Sequence, residues 1–264
     1  MGNVHETAIV DDSVKLGADV AIGPFCCVTG SVTLGDRVTL ESHVVVTGNT
    51  TIGEDTHVYP FASIGHIPQD LKFGNEDVML EIGARNRIRE NVTMNPGTRG
   101  GGGLTKVGND GLFMIGAHVA HDCIVGDNVI LANNATLGGH VTVGDFAILG
   151  GLVGVHQFCR IGAHAFIGAG SLVVEDVIPF GAATGNRAEL SGLNLVGLKR
   201  RNFDRVEINA LRALHKALFI ESDGALMSRL AKAAKQYGDS LCVQQVVEFM
   251  RVEQNRGYCT PRNR

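Results

Sequence analysis

The chain has 264 residues, enough for one large domain or one domain with an appendage. Its 35 glycines, its charged fraction of 19% and its lack of Trp favour repeated short strands with tight corners over a helical bundle. A net charge of −4 argues against a general nucleic-acid binder.

The opening stretch, MGNVHETAIV, has no basic segment followed by an apolar run, so no signal peptide is expected. Glu6 spoils the N-acylation pattern that Gly2 would begin. No apolar run approaches membrane-spanning length, so no integral membrane segment is expected either. Cys26, Cys27, Cys123, Cys159, Cys242 and Cys259 contain no CxxC pair. Their even number permits disulfides, but a cytoplasmic protein with reduced thiols is the expectation.

From Val10 a step of six residues lands on Leu16, Ile22, Val28, Leu34, Leu40, Val46, Ile52, Val58 and Ile64, all aliphatic. The step resumes at Ile82, Ile88 and Met94. After a one-residue change of phase it runs from Val107 through Phe113, Val119, Val125, Leu131, Leu137, Val143, Leu149, Val155, Ile161 and Ile167 to Val173. Four residues after each of these comes a small or β-branched residue, such as Val20, Cys26, Ala117, Cys123, Ala135, Val141 or Cys159. Inward positions thus fall alternately two and four apart. Two apart is strand alternation, and the wider gap is a corner commonly holding Gly, Asp or Asn. No such strand buries much alone, so successive turns must stack into a solenoid. Cys26, Cys123 and Cys159 then read as interior fillers.

Two stretches interrupt the step. Residues 66–81, HIPQDLKFGNEDVMLE, place Asp70 and Glu76 where aliphatics belong, and residues 99–106, RGGGGLTK, read as flexible. Both are expected to be loops leaving the wall, where functional residues concentrate. Beyond residue 186 the pattern becomes helical. DRVEINALRALHKALF, 204–219, has apolar residues at near-helical spacing with Asp204 as a cap. Helices are also predicted near 225–237 and 240–254, the latter capped by Ser240, with a frayed tail YCTPRNR. The expected fold is an all-β solenoid over 1–186 followed by a small α-helical C-terminal domain over 187–264.

The hexads resemble the left-handed parallel β-helix of the hexapeptide-repeat acyltransferases, in which three hexads make one coil. More narrowly, ASIGHIPQDLKF, RNRIREN, GGGLTKVG, AHVAHDC, ILANNATLGGHV, GVHQFC and GLKRR resemble the UDP-N-acetylglucosamine O-acyltransferase family of lipid A biosynthesis. With that family's eighteen residues per coil, His121, Gly139 and Gln157 fall in one column on adjacent coils, and Gly138 and His156 share the next. His118 and His140 complete a histidine-rich patch. Taken singly, each histidine reads as a solvated strand residue; the cluster points to chemistry.

The resemblance implies transfer of a 3-hydroxyacyl chain from acyl carrier protein to the 3-hydroxyl of UDP-N-acetylglucosamine, with no cofactor or metal and no covalent acyl-enzyme. It implies His121 as general base, Asp122 as its orienting partner and the Gly139 N–H as oxyanion donor. It implies Gln69, Asp70 and Lys72 at the acceptor sugar, and His118, His140, His156 and Gln157 as sugar- and phosphate-contacting or pocket-shaping residues. Asn194, Arg200 and Arg201 fall on the nucleotide side, where paired guanidinium groups suit diphosphate oxygens; without the resemblance the KRR run reads equally as a solvated helix end. The same basic stretch, with Arg205 and Arg212, suits an acidic carrier protein. The resemblance further implies that Ala169 lies near the end of the acyl groove. The family's homotrimer, with active sites between neighbouring solenoids, is implied as well. This chain departs from some relatives at Asn95, Pro96 and Val196, all on the acceptor side.

Two other readings stand beside it. One is a zinc hydrolase on the same scaffold, although His118 and His121 lie three apart where solenoidal carbonic anhydrases space two ligands five apart. The other is a non-catalytic solenoid used for assembly.

Overall fold

The structure, a computed structural model, describes residues 3–74, 76–221, 224–252 and 256–262. Most hexads contribute a strand of only two residues, as at Ile130–Leu131, Thr136–Leu137 and Thr142–Val143. These three lie in three different sheets, here A, B and C, so each coil visits all three faces of a prism in turn. Among the described residues the sheets hold eleven, nine and eight strands. Pairing between coils is parallel and in register, as in His118 with Thr136 and Thr136 with Gly154. The last strand of sheet A, Glu189–Leu193, is the exception and runs antiparallel to Gly181–Thr184.

The six-residue step is the core. Leu131, Leu137, Leu149 and Ile167 are fully buried, and the second register supplies the smaller Val129, Ala135, Val141 and Ala165 between them. Full burial of an aliphatic side chain contributes about 1.5–3 kcal/mol. A two-residue strand has one such residue, so stability accumulates only by stacking. Cys26, Cys123 and Cys159 occupy small inward slots, as their positions in the repeat predict.

Most corners hold a left-handed residue. Asp122, His140 and Phe158 have φ of 59°, 62° and 65°, and Phe146, His164 and Phe180 have 60°, 59° and 63°. Such a conformation is unfavourable for a bulky side chain, on the order of 1–3 kcal/mol. Ring stacking along the prism edge offsets it. The His164 ring lies 4.9 Å from Phe146 and 5.3 Å from Phe180, in both cases with the ring planes nearly parallel.

Both interruptions leave the wall at the edge between sheets B and C. Both end earlier in the chain than the sequence pattern predicts. Met79–Ile82 and Leu104–Val107 are strands of sheet C paired with each other, so the excursions cover 65–78 and 95–103. Buried Leu80 and Ile82 resume strand alternation while Glu81 faces outward, and Thr105 and Val107 do the same. The glycine-rich run is also tied down. Arg99–Gly101 is one 3₁₀ turn, capped by Thr98 and closed by Gly102 at φ 99°.

The C-terminal part contains helices α1 (Leu195–Arg200), α2 (Arg205–His215), α3 (Leu226–Tyr237) and α4 (Leu241–Arg251). A π-helical turn, Lys216–Ile220, follows α2. Ser240 caps α4 by accepting from the Val243 N–H, whereas Asp204 precedes α2 without a side-chain cap bond. This part docks on the edge between sheets C and A. The Arg201 guanidinium sits 5.2 Å from the Phe146 ring centroid and donates to the Phe146 carbonyl at 2.9 Å. Phe203 meets the His164 and Phe180 rings edge-on. The tail is not frayed through residue 262. Cys259 is buried, its N–H donates to the Asp176 carbonyl at 2.8 Å, and the Tyr258 hydroxyl donates to Met250 O at 2.8 Å. No helix among the described residues is long and apolar enough to cross a membrane.

Burial, with the nearby Arg201 charge, pushes the His164 imidazole down from 6.5 to about 4. Its Nδ1 is buried without a partner. Between those values the unfolded chain holds a proton that the folded chain does not, so stability is full above about pH 6.5 and falls as the pH drops. Thermal melts of His164→Phe, which keeps the stack, are expected to show a shallower loss of Tm between pH 6.5 and 4 than the unsubstituted protein.

Candidate active site

The residues that turn the edge from sheet B to sheet C superpose on successive coils. His140 N donates to His121 O at 3.0 Å, and Phe158 N donates to Gly139 O at 3.1 Å. These bonds stack His121, Gly139 and Gln157 in one column and Asp122, His140 and Phe158 in the next. The two excursions at 65–78 and 95–103 leave from lower corners of this same edge. Loop and histidine patch are therefore neighbours because the repeat makes them so.

His121 and Asp122 are both buried, and the His121 Nδ1 lies 2.7 Å from Asp122 Oδ2. An ionised carboxylate only accepts, so in the neutral ring this contact assigns the proton to Nδ1 and leaves the Nε2 lone pair free. Gly139 lies directly against that nitrogen. A Cβ at 139 would sit 2.6 Å from Nε2, so only glycine fits beside the ring. The Gly139 N–H has no hydrogen-bond partner among the described residues. The column thus presents a base and a free backbone donor together.

His140 stands edge-on to His121 at 5.1 Å and stacks on Phe158 at 4.4 Å. Burial lowers its pKa, against the opposing pull of the Asp122 charge. His118 accepts or donates at Nδ1 with Thr93 Oγ1, 2.7 Å away, and burial lowers its pKa as well. Near neutral pH both rings are uncharged, and His118 has only Nε2 left for a ligand, as donor or acceptor by tautomer.

The QDLK loop is rooted beside this patch. Asn95 Nδ2 donates to the carbonyls of His66 at 2.9 Å and Ile67 at 3.4 Å. Asp70 accepts from the Lys72 N–H at 3.0 Å, and its charge reaches His140. Gln69 and Lys72 are exposed. His156 and Gln157 lie at the next coil, exposed, where a residue missed by sequence reasoning meets them. Arg256 places Nη2 2.8 Å from His156 Nδ1 and donates from Nε to the Gln157 carbonyl at 3.1 Å. Only the docking of the tail brings it there, and no periodicity announces that.

Asn194, Arg200 and Arg201 gather elsewhere. They border a cavity of about 460 Å³ floored by Ile148, Phe166 and Ala182 on sheet A, the face opposite the His121 edge. Asn194 is engaged by the fold, accepting from the Gly197 N–H at 2.9 Å and donating to His164 O at 3.0 Å. Ala169 is exposed on the edge between sheets A and B. A single chain therefore does not bring the two predicted halves of the site together.

His121, Asp122 and His140 have donor atoms within 4.8 Å of one another. They do not suit a resident metal. Asp122 Oδ1 accepts from the Thr98 N–H, while Oδ2 accepts from Thr98 Oγ1 and His121 Nδ1. With His118 turned to Thr93, a three-histidine zinc set is not assembled.

The comparisons with known proteins agree with this geometry. Residues 13–48 and 105–139 match the family model described as bacterial transferase hexapeptide (six repeats), and residues 176–259 match UDP N-acetylglucosamine O-acyltransferase, domain 2. The stacked hexads make the chain a hexapeptide-repeat transferase. A curated acyl-[acyl-carrier-protein]–UDP-N-acetylglucosamine O-acyltransferase of Paracoccus denitrificans is 53% identical over 204 residues, 77% of each chain. Its counterpart in Aliarcobacter butzleri is 51% identical over 83% of this chain and 84% of its own length. The solved UDP-N-acetylglucosamine O-acyltransferase of Moraxella catarrhalis superposes with a TM-score of 0.92 at 39% identity, covering 97% of this chain and 99% of that one. The chain belongs to the acyl-[acyl-carrier-protein]–UDP-N-acetylglucosamine O-acyltransferase family.

Cys123, next to the dyad, is fully buried, and burial pushes its thiol up to about 12. Cys159, Cys242 and Cys259 are raised to about 12 by the same cause. A thiolate is the reactive form. Maleimide treatment of the native protein is expected to label at most the half-buried Cys27, and all six cysteines after denaturation, as read by intact mass.

Proposed function

We propose that this protein transfers a 3-hydroxyacyl chain from acyl carrier protein to the 3-hydroxyl of UDP-N-acetylglucosamine, the first step of lipid A biosynthesis. The observation that carries the mechanism is the His121 ring, held by Asp122 at Nδ1 with Nε2 against Gly139. Nε2 takes the proton of the sugar hydroxyl as its oxygen attacks the thioester carbonyl. The C–O bond forms, and negative charge moves to the carbonyl oxygen, where the Gly139 N–H receives it. Collapse of the intermediate breaks the C–S bond, and the departing thiolate takes the proton back from the imidazolium. Asp122 supports that imidazolium while it lasts.

Direct transfer is favoured over a covalent acyl-enzyme because the one thiol beside the dyad faces the interior. The QDLK loop, with Gln69, Asp70 and Lys72, suits the acceptor sugar, and the neutral His118 and His140, together with His156 and Gln157, suit its hydroxyl and phosphate oxygens. Asn194, Arg200 and Arg201 then serve the nucleotide from a second copy of the chain. Their position on the face opposite the dyad supports a homotrimer whose sites lie between subunits. Ala169 bounds the acyl groove, and the reaction runs in the cytoplasm without a cofactor.

The test is turnover of a 3-hydroxyacyl carrier protein with UDP-N-acetylglucosamine, products read by mass spectrometry. His121→Ala is expected to lower kcat about 10²–10⁴-fold; undiminished turnover removes His121 from the base role. Gly139→Ala, whose methyl group displaces the ring, is expected to lose about 10²-fold with the fold intact by circular dichroism.

A further inference from the structure

The carboxylate that aims His121 is itself gripped from outside the wall. Asp122 Oδ1 accepts from the Thr98 N–H at 2.8 Å, and Oδ2 accepts from Thr98 Oγ1 at 2.7 Å. The Asp122 N–H donates to Thr105 Oγ1 at 2.7 Å. Gly101 closes over the group so tightly that a Cβ there would collide with the carboxylate. Thr98, Gly101 and Thr105 all come from the 95–107 stretch, one coil below.

We propose that Thr98 is a positioning residue for the transfer reaction, acting through Asp122 to set the direction of the His121 ring. The inference rests on the role of His121 proposed above. Four groups form one chain of hydrogen bonds. The Gly101 N–H donates to Thr98 Oγ1 at 3.2 Å, the Thr98 hydroxyl donates to Asp122 Oδ2, and His121 Nδ1 donates to that same oxygen at 2.7 Å. Linked bonds of this kind strengthen one another in a buried setting. With both carboxylate oxygens held, Asp122 has one orientation, and so has the imidazole bonded to it. Without the threonine hydroxyl, Oδ2 keeps one partner and the carboxylate gains freedom to turn. The glycine run that reads as a flexible loop is thus a strap, and Gly101 permits the close approach.

The experiment compares Thr98→Val, which keeps shape and the backbone bond, with Thr98→Ser, which keeps the hydroxyl. Thr98→Val is expected to lower kcat about ten- to a hundredfold, with KM for both substrates within about twofold. Thr98→Ser is expected to recover most of it. In an Asp122→Ala background, Thr98→Val is expected to cost less than about twofold more, since the group it holds is gone. A purely structural role would lower Tm without this split or this non-additivity. Thr98→Val within twofold of the unsubstituted protein, Thr98→Ser as impaired as valine, or additive losses in the double variant would overturn the proposal. If Thr98→Val does not fold, Gly101→Ala decides instead: loss of kcat at constant KM supports the strap, and unchanged kcat overturns it. His121→Ala is assayed in parallel. Its full activity would remove the base itself, whereas an inactive His121→Ala beside an unaffected Thr98→Val removes only the strap.

Discussion

Everything in this protein depends on backbone hydrogen bonding between coils. A two-residue strand has no stability of its own, so each pairs with the coil above and the coil below. Bonds such as Thr136 N to Val153 O at 2.8 Å and Gly138 N to Val155 O at 2.9 Å hold the coils in register. A residue and its counterpart one coil on are therefore fixed over each other. That constraint turns a linear repeat into columns, and columns into a site. His121 lies beside Gly139 because the wall stacks their coils. A catalytic pair on regular structure keeps its geometry more tightly than one carried on loops.

The electrostatics of the edge follow from the same packing. Asp122 occupies a left-handed corner, which aspartate tolerates better than most residues, and its carboxylate turns back to the adjacent imidazole. Around that pair burial keeps His118 and His140 uncharged near neutral pH. Under the proposed mechanism, a proton taken up by His121 meets the Asp122 carboxylate and two neutral rings. The strap at Thr98 completes the arrangement from one coil below. On the opposite edge burial performs a structural task instead, as His164 fills an aromatic stack and Arg201 pins the helical part to it.

The wall was readable in the sequence because its physics is periodic. Val119, Val125, Leu131 and Leu137 announce the interior, and Cys123 could be placed inward from its slot alone. The column of His121, Gly139 and Gln157 needed the coil length, which the family resemblance supplied. What escaped was aperiodic. Strand alternation resumes at Leu80 and Thr105, before the six-residue step does at Ile82 and Val107, so both excursions were read as ending too late. Thr98 touches Asp122 across 24 residues, and Arg256 reaches His156 across 100, with no recurring spacing to betray either. Asn194 and Arg201 show the converse, because residues matched to a nucleotide motif are also bonded into the fold.

The dyad and the arginine cavity stand on opposite sides of the chain, so the proposed function takes the arginines from a second copy, while its proposed base and oxyanion donor belong to one. The most direct probe of that base is the ¹⁵N spectrum of selectively labelled His121 in the resting protein. In the neutral ring the account predicts a protonated Nδ1 held by Asp122 and a bare Nε2 facing Gly139. A neutral ring carrying its proton on Nε2 would contradict it, since that nitrogen would have no lone pair for the sugar hydroxyl.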